Sequence, residues 1–266
     1  MNIVAIVQAR VDSKRLKGKV LKKIKGTPLI GILLKRLSKS DYLNEIIVAT
    51  ATNKEDVELK KYVNSVGFKC EVGSEKNVMD RYIKAGKNNN ADLIVRITGD
   101  CPLIDSKIVD QIINEFISNN LDYISNTYPP TFPDGLDVEV FKLSSLIASS
   151  KQTKNQYNLE HVTPHLRESG NFKTLNVTNK KNYAHIRLTV DELIDFKVIQ
   201  NIINYFYPNY YFSWMDVLDL YEKKPKIFIN GNLQRNEGAT MGSGQKLWKL
   251  AKEIIPGGNM LLSKRP

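Results

Sequence analysis

Between Gln8 and Lys19 the chain reads Gln-Ala-Arg-Val-Asp-Ser-Lys-Arg-Leu-Lys-Gly-Lys, setting Arg10, Lys14, Arg15, Lys17 and Lys19 against a single acid, Asp12. Cations crowded into one loop suit a polyanionic ligand, most simply a triphosphate. A second stretch, Arg96-Ile97-Thr98-Gly99-Asp100-Cys101-Pro102-Leu103-Ile104-Asp105, runs from an apolar segment into Gly99-Asp100. A carboxylate facing bound phosphates would be repelled unless a cation came between them, and Mg²⁺ takes carboxylate and phosphate oxygens together. Asp100 is therefore either a metal ligand or a cap on the turn that follows. In the third stretch, Arg187-Leu188-Thr189-Val190-Asp191, a strand-like segment again ends on an acid. Asp191 is either the N-cap of the next helix or a second ligand to the same ion.

Two further clusters carry chemistry. Gly135-Leu136-Asp137-Val138-Glu139 puts two carboxylates on one face of a strand, as solvent-facing charges or as holders of sugar hydroxyls. His161 and His165 are spaced as helical zinc ligands can be, but Pro164 between them and the lack of a third ligand argue against zinc. Cys101 reads as a small buried residue rather than a nucleophile. Cys70 and Cys101 have no metal-ligand spacing and cannot form a disulfide framework, which fits a reducing compartment.

These groups meet only if particular elements carry them. Ile3-Val4-Ala5-Ile6-Val7 has the β-branched content of a buried parallel strand. The next helix pattern begins near Pro28, so about twenty residues of loop follow that strand. Up to residue 125 strands at 3–7, 45–49, 67–72, 92–97 and 121–125 alternate with helices near 28–39, 54–65, 77–88 and 105–119. Thr27-Pro28, Asn53, Asn77 and Asp105 serve as helix start signals. This alternation implies a mostly parallel α/β sheet with its ligand at the carboxyl edge. Thereafter the pattern predicts a strand over 136–141 and helices near 142–151 and 156–168. Strands at 171–177 and 185–190 and helices at 192–206 and 213–222 follow, making a small inserted β/α subregion. If 185–190 joins the main sheet, Asp191 reaches the edge that holds Asp100.

The net charge of +11 invites a nucleic-acid reading. The lysines, however, are spread over nearly every helix, and abundant Lys, Asn and Ile suit an AT-rich genome. Nucleic acid is therefore not an expected partner. No segment approaches the roughly 20 apolar residues of a membrane span, and Gln8 and Arg10 cut short any leader-like run. The expected location is the cytoplasm, with no membrane partner.

With these residues in view, the chain resembles the nucleotide-sugar cytidylyltransferases of the spore-coat-polysaccharide type. These are related to the synthetases that make CMP-activated ketodeoxyoctonic and acylneuraminic acids. The resemblance runs in order over about residues 1–230. It comprises Gln8 to Lys19, Gly26-Thr27-Pro28-Leu29-Ile30, Gly73-Ser74-Glu75 with Asp80-Arg81-Tyr82, and Thr98 to Leu103, then Gly135 to Phe141, Glu160-His161-Val162-Thr163-Pro164 and Arg187 to Asp191. Lys17 stands where the family usually has Pro, and Asp12 where this group often has Gly.

The resemblance implies a Rossmann-like, nucleotide-diphospho-sugar-transferase-like domain. It would transfer CMP from CTP to a sugar or sugar acid, releasing pyrophosphate, in surface-polysaccharide or glycan precursor synthesis. It also implies that Arg10, Arg15, Lys19 and Asp100 are catalytic. Ala9, Arg10, Ser13, Arg15, Lys19, Ser74, Asp80 and Arg81 would bind nucleotide, and Asp100 and Asp191 Mg²⁺. Asp137, Glu139, His161 and Arg187 would lie near the acceptor, and the chain would form a homodimer. The alternative is an inactive nucleotide-binding module that serves as a docking platform. Residues 231–244 read as a linker and 245–266 as a separate segment. In that segment Lys246 to Gly258 resembles the opening of a class III aminotransferase of the glutamate-1-semialdehyde aminomutase type. That resemblance implies a fused aminotransferase domain beyond residue 266, with no pyridoxal-phosphate site in this chain.

Overall fold

In the computed structural model the residues described are 1–13 and 15–229, all within one unit spanning Met1–Arg235. The expected linker and the aminotransferase-like stretch lie outside the described residues. The strands are β1 (Ile3–Gln8), β2 (Lys23–Ile24), β3 (Thr27–Pro28), β4 (Glu45–Ala51), β5 (Lys69–Gly73), β6 (Leu93–Thr98), β7 (Tyr123–Ser125), β8 (Glu139–Lys142) and β9 (Thr174–Asn176). The helices are α1 (Leu29–Leu37), α2 (Asp56–Ser65), α3 (Val78–Asn88), α4 (Ser106–Ser118), α5 (Leu143–Gln152), α6 (Gln156–His161), α7 (Pro164–Glu168), α8 (Leu193–Phe206) and α9 (Trp214–Lys223).

Seven strands form one sheet in the order β5-β4-β1-β6-β8-β7-β9, and only β8 runs against the others. The continuous apolar run of β1 is explained by burial on both faces. Ile3, Ala5 and Val7 join one core with residues of α1, α4, α8 and α9, and Val4 and Ile6 join a second with residues of α3, α5 and α7. Chain direction along the sheet switches between β1 and β6. From β1 the chain crosses to β4 on one side, while β6 lies on the other, and the crevice at their carboxyl ends is where such sheets hold ligands.

Several expectations need correction. The long loop after β1 contains a 3₁₀ turn (Lys19–Leu21) and the two-stranded β2–β3 hairpin, because its Lys-rich sequence alternates too briefly to read as strands. The strands of the second half, β8 and β9, join the same sheet. The 185–190 segment does not become a strand; it starts in a turn, where Ile186 N–H donates to the Tyr183 carbonyl, and makes one bridge, Arg187 to Asp134. The 156–168 helix is two short ones, broken at Val162, whose φ of 72° no helix can accommodate. Among the described residues no helix is long and apolar enough to cross a membrane.

Candidate active site

The basic loop is held in shape by backbone bonds. Val11 N–H donates to the buried Asp56 carboxylate (2.7 Å), and Gly18 N–H closes the loop onto the Val11 carbonyl (2.9 Å). Gly18 itself has a φ of 69°, a left-handed conformation that turns the chain into the Lys19 3₁₀ turn. On the opposite strand Gly99 N–H donates to the Gln8 carbonyl (2.8 Å). A Cβ at Gly99 would stand 2.8 Å from the Ala9 Cβ, so only glycine lets the ends of β1 and β6 close up this way.

Closing those ends brings the predicted residues together around Lys19. Its buried ammonium donates to Asp100 Oδ2 (3.0 Å), Asp191 Oδ1 (3.0 Å) and the Val190 carbonyl (2.8 Å). Arg15 reaches the same Asp191 Oδ1 at 2.7 Å. Burial by itself would lower the Lys19 pKa, but Asp100 and Asp191 outweigh it and hold it above its ordinary value. Burial would likewise raise Asp100, yet the neighbouring Lys19 charge keeps its carboxyl below the ordinary range. For Cys101, burial first and then Asp100 and Asp137 push the thiol well above its usual pKa, which fits the reading as an inert small residue.

Asp191 arrives without a sheet strand. Val190 N–H and the Thr189 hydroxyl both donate to the Asp100 carbonyl (2.8 and 3.2 Å), stitching the two acid-bearing segments together. Gly135 permits this, with φ 106° and a Cβ position only 2.7 Å from Leu188 C and Thr189 N. The N-cap of α8 is Glu192, in a capping box with Asp195, so the Asp191 side chain is left to the cation cluster.

Arg187 is buried behind this cluster. It donates to Asp134 (2.8 Å), Asp191 Oδ2 (2.9 Å) and Asp195 (2.9 and 3.1 Å). Burial opposes its charge, but Asp195 and Asp134 raise its pKa above the ordinary value. Arg187 therefore orients Asp191 from inside the protein instead of facing the cavity.

Two adjoining cavities open at this edge. One, about 370 Å³, is lined by Ala9, Arg10, Ser13, Arg15, Lys19 and Asp100, with Gln8, Val20, Thr98, Gly99, Glu160 and Asp191 completing it. The other, about 320 Å³, shares Gln8, Arg10 and Glu160 with the first and adds Arg81, Arg96 and His161 among others. Arg10 lines both and enters no ion pair among the described residues, so its charge is available to a ligand. Asp12 is exposed and lines neither cavity, which accommodates an acid in this loop.

Other predicted residues are placed elsewhere. Ser74 and Asp80 line neither cavity; the Ser74 hydroxyl accepts from Asn77 N–H, and Asp80 is exposed on the first turn of α3. Arg81 is buried and donates to the Ser74 carbonyl (3.0 Å). Glu139 is enclosed, with one carboxylate oxygen on Arg96 and the other on the Tyr123 hydroxyl. Burial would raise its pKa, but Arg96 holds it low. Asp137 sits in the extended segment before β8, close enough to Cys101 to act on its thiol. Breaking the Arg96–Glu139 pair orphans a buried guanidinium, so Glu139→Ala should cost about 3–5 kcal/mol. Urea denaturation would register that loss; an unchanged midpoint with only a raised acceptor KM would instead make Glu139 a substrate contact.

His161 and His165 do not converge. His161 packs on Tyr157 with ring centroids 4.6 Å apart, while His165 Nδ1 lies 3.0 Å from Ser149 Oγ. No group of three or more His, Cys, Asp and Glu fit to hold a metal occurs among the described residues. Asp100 and Asp191 are hard oxygen donors at a phosphate-sized cationic cavity. Such a pair suits Mg²⁺, which completes its shell with phosphate oxygens and water, and does not suit zinc. The residues sequence reasoning missed are Gln8, Thr98, Glu160, Asp134 and Asp195. Gln8, Thr98 and Glu160 stand in family segments without a role assigned to them, and no local signal marks Asp134 and Asp195.

A mostly parallel α/β sheet with a lysine pinched between two acids and a basic loop at its switch point defines a nucleotidyltransferase. Residues 4–231 match the Cytidylyltransferase family, and the chain belongs to that family. It is 38% identical over 239 residues to the uncharacterized protein MJ1063 of Methanocaldococcus jannaschii, covering 88% of this chain and 97% of that protein. It is 31% identical over 208 residues to the spore coat polysaccharide biosynthesis protein SpsF of Bacillus subtilis, covering 75% and 85%. Among solved structures, a cytidylyltransferase from Leptospira borgpetersenii superposes with a TM-score of 0.84 at 32% identity, covering 88% of this chain and 99% of that one.

Proposed function

We propose that this enzyme transfers CMP from CTP to a sugar or sugar acid, with Mg²⁺, releasing pyrophosphate for surface-polysaccharide or glycan precursor synthesis. The observation that carries the reading is the Lys19 ammonium 3.0 Å from both Asp100 and Asp191 at the mouth of the Arg10–Arg15–Ser13 cavity. The family membership and the Bacillus relative, a spore coat polysaccharide biosynthesis protein, support the nucleotide and the acceptor class.

In this reading Arg10, Ser13, Arg15 and Lys19 bind the triphosphate and stabilise charge on the α-phosphate and the departing pyrophosphate. Asp100 and Asp191 would hold Mg²⁺, which when bound supplies Lewis-acid neutralisation of the phosphate oxygens. Arg187 keeps Asp191 oriented through two buried acids. The acceptor enters the second cavity, beside His161, and its hydroxyl oxygen attacks the α-phosphorus in line. Assembly as a homodimer belongs to the same reading and is measured by light scattering.

The test is pyrophosphate release from each of the four common ribonucleoside triphosphates with Mg²⁺, over a panel of neutral and acidic sugars. Release with CTP and one acceptor class is expected. No release with any acceptor, alongside intact CTP binding, would leave the inactive docking module as the reading.

A further inference from the structure

The cationic character of this chain does not stop at the phosphate loop. Between Asp12 and Asp41 there are ten lysines and arginines and no acid. The later members of that run sit on the β2–β3 hairpin, on α1 and in the turn after it, and four of them, Lys25, Lys35, Arg36 and Lys39, pack against an aromatic segment, 205–214, from the far end of the described chain. Lys25 Nζ lies 5.2 Å from the Tyr207 ring centroid, Lys35 Nζ 5.3 Å from Tyr210 and Lys39 Nζ 4.8 Å from Tyr211. Lys224 completes the row, 4.7 Å from Tyr205. The rings pack in two groups: Tyr205 touches Phe206, which stacks on Phe212, and Tyr207 meets Tyr210 edge-on. Beneath them the buried Arg36 packs on Phe212 at 4.5 Å.

This face is outward-looking. Tyr205, Tyr207 and Tyr211 are 49%, 50% and 54% exposed, and Lys25, Lys35, Lys39 and Lys224 are all exposed. None of these four lysines enters an ion pair among the described residues. Lys25 and Gly26 both have positive φ (49° and 80°), as a tight hairpin turn demands, and the turn carries lysine where Asn or Gly would sit more easily.

The charge pattern selects an anionic surface. A single-stranded nucleic acid would need open ring faces for its bases, and here a lysine stands over a face of each tyrosine. Amphipathic rings at half exposure, ringed by ammonium groups, match the headgroup layer of a bilayer instead. There tyrosines settle at the interface and lysines meet lipid phosphates. We propose that this lysine–tyrosine face docks the enzyme peripherally on anionic phospholipid. The proposal stands apart from the catalytic reading, since none of these side chains lines either active-site cavity.

Flotation of the full chain with phosphatidylcholine vesicles, with and without phosphatidylglycerol, tests it. Binding is expected only to the phosphatidylglycerol vesicles, and it should be lost near 1 M salt, where the Debye length falls to about 3 Å. The triple variant Lys25→Glu/Lys35→Glu/Lys39→Glu should bind at least about tenfold more weakly while its melting temperature and its pyrophosphate release with CTP are unchanged. Tyr207→Ser/Tyr211→Ser should also weaken binding, with no change in net charge. A control triple of equal charge on the exposed helix lysines, Lys60→Glu/Lys61→Glu/Lys87→Glu, should bind like the parent. The proposal is overturned by absence of binding to anionic vesicles, by equal loss in the two triples, or by tighter binding to an oligonucleotide than to vesicles. A change of oligomeric mass in the patch triple would overturn it as well, because the face would then join copies of this chain.

Discussion

Asp100→Asn should lower CTP-dependent pyrophosphate release at saturating substrates by at least about 10²-fold, because one strong electrostatic stabiliser contributes on the order of 3 kcal/mol to such a transition state. The amide matches the carboxylate in shape and can still accept from Lys19, so packing at the end of β6 survives. What disappears is the negative charge that faces Lys19 at 3.0 Å and, in the proposed mechanism, the metal. The variant should fold and bind CTP, which separates a chemical defect from collapse of the site. A near-normal rate with Mg²⁺ would sink the metal assignment.

Lys19→Met has a different signature. Methionine approximates the lysine stem and removes the ammonium from a site only 11% exposed. Asp191 keeps Arg15 and Arg187, but Asp100 loses its ion-pair partner. The expected cost is about 3 kcal/mol, the low end for an orphaned buried charge, because the Asp100 side chain is 28% exposed and can recruit water. The loss has a defined pH window. The folded pKa of Lys19 lies above its ordinary 10.5, so its contribution is complete below that pH and fades as pH climbs through the folded value. The folded pKa of Asp100 lies below its ordinary 3.8, so its contribution is complete above that pH and fades as pH falls through the folded value. The stability difference between parent and variant should therefore be flat from about pH 4 to about pH 10 and shrink outside it. A difference that changed across neutral pH would mean that some other group carries the interaction. Pyrophosphate release should fall in the same variant, since the triphosphate loses a cation.

The contrast between Glu139 and Asp100 shows how far local sequence reaches. Both are acids on strand-like stretches, and the resemblance implies a site role for both. Asp100 follows Gly99 past the end of β6, where the chain leaves the sheet, and its side chain emerges at the edge. Glu139 begins β8, a strand in the middle of the sheet with helices on both sides, so the alternation that put it opposite Val138 and Val140 could not place it in solvent. Its partners Arg96 and Tyr123 come from neighbouring strands: the β6–β8 ladder sets Arg96 directly opposite Glu139, and the β7–β8 ladder sets Tyr123 two residues along, opposite Phe141. The histidines are kept apart for a comparable reason. A spacing of four is meaningful only on an unbroken helix, and Val162 breaks it.

What the residues determined by themselves was the alternation of strand and helix over the first 125 positions, the Asn77 and Asp105 caps, and the loop chemistry from Gln8 to Lys19. Each depends on neighbours within a few residues: apolar period, cap side chains and clustered charge. Tertiary structure alone decided that Asp191 meets Asp100, although its segment never becomes a strand, and that Arg187 faces inward to a set of acids. It also decided that lysines from the start of the chain lie over tyrosines from its far end. Those outcomes depend on strand order and on close approaches at Gly99 and Gly135, where contact is made between segments far apart in the chain and no local pattern records it.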